Sequence, residues 1–474
     1  MEDNGVMTLA PVHRLPPELI AAIVSFRPKS SPLLQLGHVC STWRYALHST
    51  PSLWTHLAIK LPPQIDDDWM DTVNNAVSLL GLWVKNSGQL AIFFTLIEQG
   101  ICAHDPMRRL IYALRQHSTK WSGLKLVVCK STYDSFRRRL FGSRLQSLKR
   151  LVVDIMNEES ASYESSTFTD HLVFTPHLTS LMLDNAHADE EYVPTLTWAQ
   201  MTELSLNFNL SVLPWRSFVH LYYNSNLITD VLSQTTNLVT LSLGLMEDFD
   251  DSLEVVSSPH QIVLPHLTTL RLRHTCFRSR LHDYFDQLTL PRLATLEIDS
   301  VARFKNGQGE LGAERLCALI ERSGCSVRDI STDGGALVSL LEHCPELRQL
   351  AFFPPRNNIS RTSSLESLLL WLTPNGDEHL NSMRLPQLRS ISLGSTYRDA
   401  PFDDIIDMVK GRAAGGLQKF MLMLEYLPLV DPGRKKEVKN LEERLEELCE
   451  CGEGSFEGKV DVVTVYQPAY ISIE

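Results

Sequence analysis

Long apolar runs are missing from this 474-residue chain. Its most apolar stretch, Leu90 to Ile97, is far short of the about 20 residues that cross a bilayer, so no membrane span and no membrane partner is expected. Positive charge is also scarce. The 44 Lys and Arg stand against 56 Asp and Glu, and a net charge of −12 repels phosphate backbones, so nucleic acid is not an expected partner. Cysteine is thin: nine residues, an odd number, excludes a fully paired disulfide scaffold, and the pair Cys449 and Cys451 is too close in sequence for a zinc site. The start of the chain has acid where a secretory leader needs base and no apolar core before Pro11, which fits a cytoplasmic or nuclear protein.

Catalytic signatures are absent too. No H-E-x-x-H, G-x-S-x-G or G-x-x-x-x-G-K-[ST] occurs, and the 16 His are scattered singly, so the expectation is a protein that is not an enzyme and takes no cofactor and no metal. Gly307, Gly309 and Gly312 do spell the dinucleotide pattern G-x-G-x-x-G. That pattern cradles pyrophosphate when its first glycine follows a strand directly, whereas here Val301 to Asn306 intervene, so a flexible loop before a helix is expected.

What the sequence has in quantity is a repeated phrase. Thr175-Pro-His-Leu-Thr-Ser-Leu-Met-Leu183 recurs with small changes at 264–272, 290–298 and 385–393. The first residue of each apolar-x-apolar step falls at Leu90, Leu124, Leu151, Leu181, Leu204, Leu241, Leu270, Leu296, Ile330, Leu350, Ile391 and Phe420, about every 30 residues. Amphipathic helices are expected between these steps at Trp69 to Lys85, Pro106 to His117, Gly312 to Arg322, Ser364 to Leu372 and Phe402 to Arg412, with an outer helix at Lys435 to Cys449 and a closing strand at Val460 to Tyr466. Arg137, Arg138 and Arg139 read as a solvated helix face.

The L-x-x-L-x-L step resembles the leucine-rich repeat, in which one short parallel strand and one returning helix make each turn of a curved solenoid. The expected fold is therefore α/β, an irregular solenoid over 69–474 with its last strand near 460–466 as a cap. Side chains alternating with the buried pairs would line its concave face: Met182, Asp184, Ser205, Asn207, Ser242, Arg271, Arg273, Ala351, Phe353, Met421 and Met423. Phe353, Met421 and Met423 offer adaptable apolar contact and Arg271 and Arg273 a cationic one, although alignment sets Arg271 against Glu297 and Arg273 against Asp299 across neighbouring strands.

The first residues are of another kind. Leu15-Pro16-Pro17-Glu18 opens a helix, and helical spacing continues in pieces to Leu57, interrupted by Pro28 and Pro32; three short helices are expected, with too little chain to bury their own apolar surface. Leu15-Pro16-Pro17-Glu18-Leu19, Leu33-Leu34-Gln35-Leu36, Val39-Cys40-Ser41-Thr42-Trp43-Arg44 and Pro51-Ser52-Leu53-Trp54 resemble, in order, the landmarks of the F-box. The boundaries that follow are a flexible 1–11, an F-box at 12–57, a linker at 58–68 and the repeats. The resemblance implies the substrate-recognition adaptor of a Skp-cullin-F-box ubiquitin ligase, acting in ubiquitin-dependent degradation. The box would bind the Skp adaptor, and through it a cullin, while the repeats hold a protein substrate. It implies Leu15, Pro16, Leu19, Ile23, Val24, Leu33, Leu34, Val39, Cys40 and Trp43 as adaptor-contacting or supporting residues. The alternative is a leucine-rich-repeat interaction scaffold outside any ligase.

Overall fold

The structure is a computed structural model. It describes residues 15–26, 33–63, 69–100, 104–141, 145–156, 175–184, 196–207, 224–244, 261–273, 285–299, 309–332, 337–353, 361–374, 384–396, 401–414, 416–426, 439–441, 443–445 and 459–466. The chain divides into two compact units, residues 1–201 with 212–224, and residues 202–211 with 225–474.

The first unit opens with α1 (Pro17–Ser25), α2 (Leu33–Leu36) and α3 (Ser41–His48), followed by a 3-10 turn at Pro51–Trp54. Pro17 occupies the first turn of α1, where a missing N–H costs nothing, and the Pro16 carbonyl receives the N–H groups of Leu19 and Ile20 at 3.0 and 3.1 Å. The strand β1 (His56–Leu61) comes next, so residues 58–61, expected as linker, are part of the sheet. Its Leu57, Ile59 and Leu61 point inward and alternate with exposed residues, a period of two that the preceding landmarks mask. Then follow α4 (Trp69–Asn86), β2 (Ile92–Glu98), α5 (His104–Gln116), β3 (Trp121–Cys129), α6 (Lys130–Phe136) running into a π-helical turn at Arg137–Phe141, β4 (Arg150–Met156) and β5 (Ser180–Asp184). The strands β1 to β5 pair in parallel in chain order. α4 packs on β1, α6 on β3 and β4, and α5 lies against α4 and α6.

In the second unit β6 (Glu203–Asn207), α7 (Asn224–Gln234) and β7 (Thr240–Gly244) precede the two-residue β8 (Ile262–Val263), β9 (Thr269–Arg273), β10 (Leu288–Thr289) and β11 (Thr295–Asp299). The remainder alternates: α8 (Gly309–Ser323), β12 (Asp329–Thr332), α9 (Leu337–Glu342), β13 (Gln349–Phe352), α10 (Arg361–Leu372), β14 (Ser390–Thr396), α11 (Phe402–Ala414), β15 (Lys419–Tyr426) and β16 (Lys459–Tyr466). The sheet is parallel in the order β6-β7-β9-β11-β12-β13-β14-β15-β16, while β8 and β10 pair separately. Residues 439–441 and 443–445 are helical, bridged by Lys439 and Glu443 at 3.5 Å.

Register follows the repeated step. Leu57, Phe94, Leu124, Leu151 and Leu181 stand side by side in the first unit. Leu204, Leu241, Leu270, Leu296, Ile330, Leu350, Ile391 and Phe420 do so in the second, and all of these side chains are buried. Leu90 is the exception: β2 begins at Ile92, Phe94 takes the register position, and Leu90 is exposed. The residues ahead of each strand explain the Leu-Pro-x-Leu phrase. A tight turn closes from the N–H of Leu267 to the Leu264 carbonyl, and likewise Leu293 to Leu290, Leu388 to Leu385 and Leu178 to Thr175, with proline at the position whose φ it pre-sets.

In a second recurring device, a cation near the end of one helix reaches main-chain carbonyls of the preceding repeat. Lys120, after α5, donates to the Val84 carbonyl of α4 at 3.2 Å. Arg322, ending α8, reaches the Leu288 carbonyl at 2.9 Å. Arg412 of α11 donates to Leu372, at the end of α10, at 2.8 Å, to Leu385 at 3.3 Å and to Arg384. Arg412 is buried, and that burial, with Arg384 nearby, pushes its pKa down to about 10, leaving it charged at neutral pH. Leu385 has φ 54°, the only non-glycine at positive φ among the described residues, and Arg412 holds its carbonyl in that conformation.

Two helical glycines give opposite expectations for one substitution. A Cβ on Gly81 of α4 meets open space, so Gly81→Ala stabilises by about 0.5–1 kcal/mol. A Cβ on Gly411 of α11 would lie 2.6 Å from Pro374 Cδ, a rigid ring, so Gly411→Ala destabilises by about 1–3 kcal/mol despite its better helix propensity. Urea denaturation of both variants checks the signs. Arg412→Met should cost about 1–3 kcal/mol in the same assay, because buried carbonyls lose their donor; an unchanged midpoint would show that the clamp contributes nothing.

Candidate functional site

The helical module at the start of the first unit has two apolar faces. Ile20 and Val24 of α1, Leu33 of α2, Ala46 and Leu47 of α3 and Trp54 are buried and form its interior. Trp54 anchors it: the indole N–H donates to the Leu47 carbonyl at 2.8 Å, the ring stacks on His48 at 5.3 Å and meets Trp83 of α4 edge-on at 4.7 Å. Trp83 in turn donates to the His56 carbonyl at 2.9 Å, tying the module to α4 and β1.

The second face meets solvent. Leu19 is 52% exposed, Ile23 51% and Phe26 88%, at spacings of four and three residues that place them in one stripe along α1 and its C-cap, about a third of a turn from the buried Ile20 and Val24. Leu34, Val39 and Tyr45 are exposed as well, Tyr45 at 66%. A turn fixed by Arg44, whose Nε donates to the Gly37 carbonyl at 3.1 Å, links α2 to α3. Six large apolar or aromatic side chains outward on one small module make it a candidate docking surface.

The ten family-derived residues thus separate. Pro16, Leu19, Ile23, Leu34 and Val39 are exposed and available for contact; Val24 and Leu33 are interior supports; Leu15, Cys40 and Trp43 are half-buried at the margin. Trp43 keeps a buried indole N–H without a partner. Phe26 and Tyr45 complete the exposed set and lie just outside the F-box landmarks, although the spacing from Leu19 through Ile23 extends to Phe26.

Of the strand-face candidates, Met182 and Asp184 stand half-buried on β5 of the first unit; the others lie in the second unit and are less open than α1. Arg271 pairs with Glu297 at 2.7 Å, and Arg273 stands opposite Asp299 in the register, so Arg271 is engaged within the sheet. Phe353, Met421 and Met423 are half-buried, the methionines alternating with buried Phe420, Leu422 and Leu424. Ser205 and Ser242 are buried, which corrects their expected place on an open surface; the Asn207 amide donates to the Ser205 hydroxyl at 3.3 Å.

The G-x-G-x-x-G reading also changes. Gly309 and Gly312 lie within the first turn of α8 instead of a loop, while Gly307 is outside the described residues, as are Cys449 and Cys451. Of the Arg137–Arg139 run, Arg138 and Arg139 are exposed, but Arg137 is turned inward and faces Asp134 at 3.9 Å. Burial pushes the thiols of Cys317 and Cys344 up to about 11 and about 12, which leaves both protonated and unreactive at neutral pH. Among the described residues no group of three or more His, Cys, Asp or Glu is arranged to hold a metal ion, and no helix is long and apolar enough to cross a membrane.

No curated protein matches the chain significantly. The F-box-like family model matches residues 12–60, the interval that contains α1, α2, α3, the Trp54 turn and most of β1. The chain therefore carries an F-box-like domain, and the exposed stripe of α1 lies inside it.

Proposed function

We propose that this chain is the substrate-recognition adaptor of a Skp-cullin-F-box ubiquitin ligase. One observation carries the reading: within the segment that matches the F-box-like model, Leu19, Ile23, Phe26, Leu34, Val39 and Tyr45 face solvent while a separate set forms the interior. A Skp adaptor covering that face would remove the apolar surface from water, and aromatic residues are the usual anchors of such interfaces. The chain itself would perform no catalysis, and would work in the cytoplasm or nucleus with the cullin reached through the adaptor.

The repeats would form a leucine-rich-repeat-like solenoid whose second sheet face receives a protein substrate, with Phe353, Met421 and Met423 as its adaptable contacts. The alternative scaffold reading draws on the Trp54–Trp83 contact, which would let the helical module serve only as a cap on β1 and α4.

Point variants separate these readings better than truncation, since β1 belongs to the sheet and cutting at residue 60 would remove a strand. The double variant Leu19→Asp and Ile23→Asp should weaken binding of a purified Skp adaptor by about 100-fold or more while thermal unfolding stays near that of the parent, because both sites are already exposed. Equal affinity of parent and variant would sink the adaptor reading, and absence of adaptor binding by the parent would favour the scaffold. Replacing Phe353, Met421 and Met423 together by Ser should deplete the ubiquitinated proteins that co-purify with the adaptor-bound chain; an unchanged set would place the substrate elsewhere.

A further inference from the structure

The chain is acidic as a whole, yet residues 69–141 hold ten Lys and Arg against four Asp and Glu. Five of those ten cations, Arg108, Arg109, Arg115, Arg138 and Arg139, are exposed on α5 and the π-helical turn against which it packs. α5 turns Met107, Leu110, Ile111 and Leu114 into the core and presents Arg108, Arg109, Tyr112 and Arg115 outward. Arg109 leans toward α4, donating to the Asn74 side-chain oxygen at 3.2 Å. Arg108, Tyr112 and Arg115 follow at intervals of four and three, a stripe of about 10 Å at 1.5 Å per residue.

On another side α5 packs against the π-helical turn at Arg137–Phe141. The wider winding of that turn allows Phe136, Leu140 and Phe141 all to be fully buried while Arg138 and Arg139 remain exposed. Arg138 is steadied through its Nε, which donates to the Asp134 carbonyl at 3.2 Å. Exposed guanidinium groups thus stand on two adjoining elements, with Tyr112 exposed on the first of them, and the Asp134 carboxylate faces Arg137.

We propose that this face docks an acidic segment of a partner protein, one with an aromatic or apolar residue among its carboxylates. Arginine forks match carboxylates in two-point hydrogen bonds, and Tyr112 supplies a flat apolar surface for the central residue. The dimensions suit a short peptide. A nucleic-acid duplex would run beyond the patch into the field of a chain whose remainder is more acidic than the whole, which disfavours it. The proposal stands independently of the adaptor reading, since the face lies on α5 and the π-helical turn and shares no residue with the F-box-like segment.

The test uses the full chain and a fluorescent peptide of glutamates with one central phenylalanine, read by anisotropy. Binding is expected at about 50 mM salt, weakening about fivefold or more by about 250 mM, and at least about tenfold weaker for the combined variant Arg115→Glu, Arg138→Glu and Arg139→Glu. The same combination with Gln is read if the glutamate form loses its thermal transition. Tyr112→Ser should weaken the peptide with phenylalanine but not one of glutamate alone. No binding by the parent, equal binding by the arginine variants, or tighter binding of duplex DNA through the same arginines would each overturn the proposal.

Discussion

The register of the repeats depends on one carbonyl at the foot of each strand. The oxygens of Lys149, Val239, Thr268, Ala294, Arg328, Arg348 and Arg389 each accept N–H groups from the first residue of the next strand and the residue before it. Ahead of β5, β9, β11, β13 and β14 a tight turn delivers those N–H groups at a fixed height, so one leucine lands beside the last. A slip of one residue would turn the whole apolar set to the other face, and the doubled bond at the strand's foot opposes it. Helices and connections of unequal length can then be accommodated, because register is set before the helix begins.

This dependence explains what could be read from sequence. The Leu-Pro-x-Leu phrase is a local signal with a local cause, so the strands it precedes and the helices between them are legible from residue types alone. Leu90 misled because Leu90-Ala-Ile92 and Ile92-Phe-Phe94 both satisfy an apolar-x-apolar step; Leu90 instead closes the tight turn ahead of β2, its N–H bonded to the Ser87 carbonyl at 3.0 Å, and that turn does not carry the Leu-Pro-x-Leu phrase that marks the others. The strand β1 hid for another reason: Trp54 ends a recognisable helical module, and the alternation from His56 to Leu61 follows with no break. Burial of Ser205 and Ser242 was out of reach, since small polar side chains carry no sign of what covers them.

For the helical module, sequence supplied identity and structure supplied sidedness. Spacing marks Leu19, Ile20, Ile23 and Val24 alike as apolar helix positions. Only the packing against α3 and Trp54 decides that Ile20 and Val24 turn in and their neighbours turn out. A segment this short cannot enclose two apolar faces, and the structure resolves the competition by giving one to Trp54 and Trp83 and leaving the other uncovered.

Within each unit, glycines on the strands sit beside unusually large neighbours. Gly123 lies under the ring of Phe93, Gly244 under the Asn207 side chain and Gly394 under Phe353, each so close that a Cβ on the glycine would fall within 2.7 Å of its neighbour. Each pair occupies one shared volume, drawn from two strands far apart in sequence. Drift at such a site is therefore constrained jointly: a side chain can grow on the glycine strand only after its partner has shrunk, so in diverging copies of this chain the two positions should change together, with the bulk passing from one strand to the other.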